Sequence, residues 1–314
     1  MLMKAVQVAA PGGPEVLEWK NVPLPAAGKG RGQVLVKINA AGVNPLDTYL
    51  RSGSYTTNLA YPYTPGIDGA GIVEQTGKRV YLSGSISGTY AEYALCREDQ
   101  IHPLPDHLSF AQGAGIHVPY ATAYRALFQK ARAKAGETVL VHGASGGVGL
   151  ACVQLARAHG MQVWGTAGTQ GGIELVAKCG AHRTFNHSSQ EDKKKLATAA
   201  QEGVHLILEM LANLNLNWDL ELLSKNGRIV VIGSRGKTEI DPRFTMSKEC
   251  SVMGMTILSA EPKDLAEIEA GLQAGFANRT LTPIINCELP LRNAAQAHQL
   301  ILAPGACGKI VLIP

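Results

Sequence analysis

Three glycines spaced three residues apart, Gly143, Gly146 and Gly149, stand in the segment VLVHGASGGVGLACVQLA, between an apolar run and an amphipathic one. This spacing suits a dinucleotide pyrophosphate. A glycine in the turn accepts unusual dihedrals, Gly146 lets backbone approach a phosphate, and Gly149 lets a helix pack closely on a strand. The helix N-terminus adds free N–H groups and the positive end of its dipole. Ala144 takes the first glycine place of the G-x-G-x-x-G fingerprint, but the strand–turn–helix context is present. A glycine-rich structural turn is the competing interpretation. About 20 residues onward, where NAD-selective sites carry an acid, WGTAGTQGG offers Gly168 and no carboxylate. Nothing there repels a 2′-phosphate, which favours NADP, with Arg235, His187 and Lys178 as candidate cations.

Other reactive residues form no comparable pattern. The six cysteines (Cys96, Cys152, Cys179, Cys250, Cys287 and Cys307) include no CxxC pair and no metal-ligand spacing. Scattered cysteines imply free thiols in a reducing compartment, so a cytoplasmic protein is expected. The opening MLMKAVQVAAPGGPEVL is broken by Lys4, Gln7 and Pro11 and lacks the apolar core of a secretory signal. No window reaches the roughly 18 apolar residues of a membrane span. The 314 residues are 46% hydrophobic and 17% charged, enough to bury two domains and too apolar for disorder. A net charge of +4 is too mild for a dedicated nucleic-acid protein.

The elements that must position these residues fall into two textures. Up to about residue 118, short runs with frequent breakers (QVLVKINAAGV, YPYTPGIDGAGIVE, KRVYLSGSISGTYAEYALC) predict a β-rich domain. From 119, apolar strands alternate with helices: TVLVHGAS, GVGLACVQLARAHG, QVWGTAG, IELVAKCGA, RTFNH, SSQEDKKKLATAAQ, VHLILEML, LNWDLELLSKNG, GRIVVIGSRG and SVMGMTI. That alternation predicts a doubly wound parallel sheet built from right-handed crossovers. Residues 259–314 return to mixed text and are assigned to the first domain. The expected fold is α/β, with a Rossmann domain over 119–258 inserted in a domain of 1–118 plus 259–314.

This plan resembles the medium-chain dehydrogenase/reductase superfamily. Its zinc enzymes place a cysteine, a histidine in a GHE motif and a further cysteine around a catalytic metal. In AAGVNPLDTYLRSG the first position is Asn44, and in PGIDGAG the second is Ile67. With those ligands replaced and no structural-zinc lobe, no metal is expected. What remains is similar, nearly end to end, to the zinc-independent quinone oxidoreductases of the zeta-crystallin type. The carrying stretches are GGPEVL, GVNPLDTYLRSGSY, PYTPGIDGAG, SGTYAEYAL, PYATAYRAL, VLVHGASGGVGLA, GTAGT, GAHRTFNH, EMLAN, GRIVVIGSRG, IDPR and GKIVL.

The resemblance implies an NADPH:quinone reductase with a GroES-like catalytic domain, no flavin, and a homo-oligomeric state of two or four subunits. It implies cofactor contacts at Tyr49, at Ser145, Gly146, Gly147 and Val148 for the pyrophosphate, and at Gly168 and His187 toward the adenosine. It further implies a cofactor contact at Asn215, after the EMLAN strand end, and contacts at Ile232, Gly233, Ser234 and Arg235 and at Met255, Thr256 and Ile257 near the nicotinamide half. Taken singly, His187, Asn215 and Arg235 would read as surface or capping residues. Where relatives often carry a lysine for the 2′-phosphate, this chain has Glu174, which opposes it. Asn44, Tyr49 and Tyr55 are the candidates for positioning the nicotinamide and the quinone and for donating hydrogen bonds; ring packing is the alternative for the tyrosines. Rival functions are reduction of enones by the same cofactor, a structural lens role and binding of AU-rich RNA. The run Lys193 to Lys195 is better explained as a solvated helix face. Relatives also carry about nine further residues near Gly77–Lys78, in the kind of surface loop that varies.

Overall fold

Apolar runs of four to nine residues separated by helix-period segments leave residues 138–254 one economical arrangement, parallel strands with helical crossovers. The computed structural model, which describes residues 1–26, 32–55, 59–305 and 307–314, has this arrangement. Strands β1 (Thr138–Val141), β2 (Gln162–Ala167), β3 (Arg183–Asn186), β4 (Val204–Glu209), β5 (Leu223–Val231) and β6 (Ser251–Gly254) are parallel and ordered 3-2-1-4-5-6. Leu140, Ile207 and Ile229 of the strands pack with Leu196, Leu220 and Leu222 of the helices into one core.

The other unit is antiparallel for most of its extent. Ile285–Pro290, Lys309–Ile313, Gln33–Val43, Asp68–Val73, Arg79–Ser83 and Ile101–Pro103 form a sheet in that order, and Tyr93–Arg97 also pairs with Gln33–Val43. Only the first two of these run parallel to each other. Leu2–Gln7 and Glu18–Pro23 form a separate ribbon. Val36, Ile38, Val43, Leu82, Ile310 and Leu312 are core members. The stretch at Gly77–Lys78 closes as a tight hairpin: the Gly77 amide donates to the Val73 carbonyl at 2.8 Å, and Gly77 takes φ +68.

The chain divides into one unit of Met1–Val118, Thr282–Ala303 and Gly308–Pro314, and a second of Pro119–Leu281 and Pro304–Cys307. From the sequence the return to the first unit was expected at 259. Helix Pro262–Ala277 instead stays with the second unit: Phe276 meets Tyr120 edge to face at 5.1 Å, and Asp264 pairs with the Arg125 guanidinium at 2.7 Å.

Candidate functional site

The carboxyl end of the parallel sheet is where an open α/β fold binds ligands. After β1 the chain turns through Gly143, whose φ of +57 is the left-handed region that favours glycine. It enters helix Gly147–Ala158 with Gly146 as an extended N-cap. Gly149 fits the role expected of it. A Cβ there would lie 2.4 Å from the Gly143 carbonyl oxygen and 2.6 Å from Ala144 Cα, so only glycine lets the helix sit this close to the turn. No side chain caps this helix and no acid stands in its first turn. Its leading amides therefore lack intrahelical partners and present positive potential, which fits a pyrophosphate. Ser145, beside them, is 6% exposed.

Gly168 follows β2, and a Cβ there would come within 2.8 Å of His187 Nε2, so glycine and imidazole occupy adjoining space. Burial, with His142 and Lys193 assisting, holds the His187 imidazole below its ordinary value, so it is neutral near pH 7. Glu174 is exposed and its carboxylate accepts from Gln170 Nε2 at 2.9 Å. Lys178 ends the helix Gln170–Lys178 that begins beside Gly168; eight residues on, it lies about 12 Å along the axis from the helix start. With Lys178 set back from the strand ends and His187 neutral, Arg235, after β5, is the remaining candidate cation.

The remaining predicted positions follow β4, β5 and β6, Asn215 in the first turn of helix Ala212–Leu222 and the others in the connections after β5 and β6. Asn215 Nδ2 donates to both Glu209 oxygens at 3.2 and 3.3 Å. Gly233 abuts the Met210 carbonyl oxygen, 2.4 Å from where a Cβ would stand. The Arg235 amide donates to Asn213 Oδ1 at 2.8 Å, and Ser234 Oγ to the Gly236 carbonyl at 3.0 Å. Met255 N–H donates to the Val231 carbonyl, and the Thr256 hydroxyl accepts the Leu258 amide ahead of buried Ile257. Ser145 to Val148, Gly168, His187, Asn215, Ile232 to Arg235 and Met255 to Ile257 thus line the carboxyl ends of six adjacent parallel strands.

Asn44, Tyr49 and Tyr55 belong to the other unit. Asn44 caps helix α1 (Pro45–Ser52), and its amide N–H donates to Asp47 Oδ2 at 2.8 Å. Its side chain enters a buried network the sequence did not disclose: Nδ2 donates to Asp68 Oδ2 at 3.1 Å, and Oδ1 accepts from the Lys309 ammonium. Lys309 in turn pairs with Asp68 at 2.7 Å, both side chains almost wholly buried. Asn44 keeps one amide hydrogen beyond that given to Asp68. Tyr49, on α1, and Tyr55, just past it, are half-buried. Burial pushes the Asp47 carboxyl up to about 7, against the opposing pull of the Asn44 amide and Lys309. The residues in this network do not fit a catalytic zinc at positions 44 and 67, because the Asn44 oxygen is already taken by an ammonium and position 67 is isoleucine.

A six-stranded sheet of this order joined to an antiparallel unit of this topology defines the medium-chain class of dehydrogenases and reductases. Residues 30–106 match the model of the alcohol dehydrogenase GroES-like domain, and residues 147–272 that of the zinc-binding dehydrogenases. Quinone oxidoreductase of Mus musculus is 49% identical over 99% of this chain and 98% of that protein. The chain belongs to the quinone oxidoreductase family, of the zeta-crystallin type, within that superfamily. Among solved structures, the quinone oxidoreductase of Thermus thermophilus, described with its NADPH complex, aligns with a TM-score of 0.87 at 31% identity over 99% of this chain and all of that one. An NAD-dependent alcohol dehydrogenase aligns with a TM-score of 0.90 at 27% identity, covering 99% of this chain and all of the other.

Proposed function

We propose that the protein reduces quinones with NADPH and without flavin or metal. The observation that carries this is the uncapped helix N-terminus behind the Gly143–Gly149 turn, at the carboxyl edge of a 3-2-1-4-5-6 sheet, in a chain so similar to quinone oxidoreductases. The nicotinamide supplies the reducing equivalent. The amides after Gly146 hold the pyrophosphate, with Ser145, Gly147 and Val148 alongside. Gly168 and His187 receive the adenosine half, and the missing acid after β2 leaves room for a 2′-phosphate. Asn215, Ile232 to Arg235 and Met255 to Ile257 receive the nicotinamide half.

A quinone is electrophilic on its own, so the protein's task is orientation, exclusion of water and hydrogen bonding to developing negative charge. The hydroxyls of Tyr49 and Tyr55 and the spare Asn44 amide hydrogen serve that task. The chain works in the cytoplasm as a homo-oligomer of two or four subunits. Supporting this are six free thiols, no helix among the described residues long and apolar enough to cross a membrane, and an edge strand β6 whose Val252 is 40% exposed. Comparing kcat/KM with NADPH and with NADH tests the cofactor assignment: a clear NADPH preference supports it, and a preference for NADH overturns it.

A further inference from the structure

At helix Ala212–Leu222, which carries Asn215, three ionisable side chains meet away from solvent. His142 follows β1, Glu209 ends β4 and Asp219 lies on helix Ala212–Leu222; each is at most 3% exposed. His142 Nε2 stands 2.9 Å from Asp219 Oδ1 and 3.8 Å from Glu209 Oε2. The network extends both ways. Toward β2 and β3, His142 Nδ1 lies 3.2 Å from Thr166 Oγ1, which accepts the Gly143 amide at 3.3 Å and stands 3.4 Å from His187 Nδ1. Toward the turn after β4, Glu209 accepts the Leu211 amide and the Asn215 side chain.

Counting protons gives the cluster its state. Among the described residues Asp219 Oδ2 has no hydrogen-bond partner, and ligand atoms of Asp219, Glu209 and His142 all lie within 4.8 Å of one another. Two wholly buried carboxyls this close, with no lysine or arginine among the described residues to neutralise them, do not both ionise, so one of them carries a proton. The Thr166 hydroxyl, accepting from Gly143, has its own hydrogen for His142 Nδ1. This leaves a neutral imidazole with its N–H on Nε2, directed at Asp219. Burial accounts for these states, lowering the imidazole and pushing both carboxyls up to about 7. The groups facing the pair are His142 from β1, each other, and, one step away through Thr166, His187. No lysine or arginine among the described residues pairs with either carboxylate. A metal ion fits poorly, because Glu209 is already occupied by N–H donors and His142 by Asp219.

We propose that His142, Glu209 and Asp219 are positioning residues for the dinucleotide: one proton shared between the two carboxyls holds the Leu211 amide and Asn215 at one end, and Thr166 with Gly143 at the other, in the arrangement that receives the cofactor. The proposal rests on the NADPH reading above. Losing the proton places two negative charges side by side in a site with no cation, and the turn after β4 relaxes as they separate.

The test is NADPH binding to the purified full chain, followed by nicotinamide fluorescence across pH, in wild type and in Asp219→Asn. Asparagine offers Glu209 an N–H and His142 a carbonyl oxygen at every pH, reproducing the protonated arrangement. A one-proton requirement titrating near 7 weakens wild-type binding about tenfold between about pH 6 and pH 8, whereas the variant changes by less than roughly twofold. The 2′-phosphate and His187 titrate in both proteins, so the difference between slopes isolates the trio. Glu209→Gln, which donates to Asp219 in the same way, gives the comparison if the asparagine variant does not fold. Equal slopes in wild type and variant overturn the proposal alone; no NADPH binding at any pH overturns it together with the cofactor reading.

Discussion

Gly149→Ala adds one methyl where the helix behind the glycine turn meets the turn itself. The new Cβ would lie 2.4 Å from the Gly143 carbonyl oxygen, 2.6 Å from Ala144 Cα and 2.8 Å from the Ala144 carbonyl carbon. Carbon–oxygen contacts settle at about 3.3 Å or more, so helix and turn must part by roughly 0.9 Å. All three atoms are backbone, and no rotamer change relieves them. Overpacking of this kind costs about 1–3 kcal/mol, while replacing a helical glycine by alanine returns at most about 1 kcal/mol. Three backbone contacts this short put the steric cost in the upper part of that range, about 2–3 kcal/mol, leaving a net loss of about 1–2 kcal/mol, or roughly 2–8 °C in melting temperature for a unit of this size. The same displacement moves the amides that face the pyrophosphate, so the NADPH Kd rises at least about tenfold, equivalent to about 1.4 kcal/mol. Gly171→Ala is the control: its Cβ would meet nothing within 4 Å, and its melting temperature should not fall. Differential scanning calorimetry and a fluorescence titration read both quantities. A Gly149→Ala protein that melts with wild type and binds NADPH equally well would refute the role given to this glycine.

Lys309→Met strands the Asp68 carboxylate in a dry site, so denaturant unfolding should show a loss of about 3–5 kcal/mol, with partial recovery in Lys309→Met/Asp68→Asn; a loss near zero would mean the pair is structurally idle. Because Asp47 titrates near 7 in the folded chain, the unfolded chain ionises first, and native stability falls as pH rises from about 4 through 7. Asp47→Asn removes that loss, so its melting temperature should gain on wild type across this interval and no further above it; a gap that stays constant or shrinks counts against the burial argument. Tyr55→Phe should lower kcat with a quinone severalfold while leaving NADPH binding unchanged, and unaltered kinetics would remove Tyr55 from the site.

The glycine turn was legible in the sequence because each of its roles is local: a positive φ at Gly143 and a close approach at Gly149 concern residues six apart. The alternating strands and helices were legible for the same reason. The buried networks were not. Lys309 reaches Asp68 across 241 residues and His142 reaches Asp219 across 77, separations at which residue type alone does not reveal a partner. A weak signal existed, since VLVH and LILE each end an apolar strand on an ionisable residue, which burial would make costly without a partner. Helix Pro262–Ala277 joined the second unit through Asp264 and Phe276, whose contacts with Arg125 and Tyr120 the helical pattern does not encode.

The central claim is tested most directly by following NADPH consumption by the purified protein, free of added flavin and metal, with ortho-quinones, para-quinones and enones in parallel. Saturable NADPH oxidation with the quinones, and little with the enones, is the result expected. Oxidation with enones alone, or none with any acceptor beside salt-sensitive binding of a uridine-rich oligonucleotide, would contradict it.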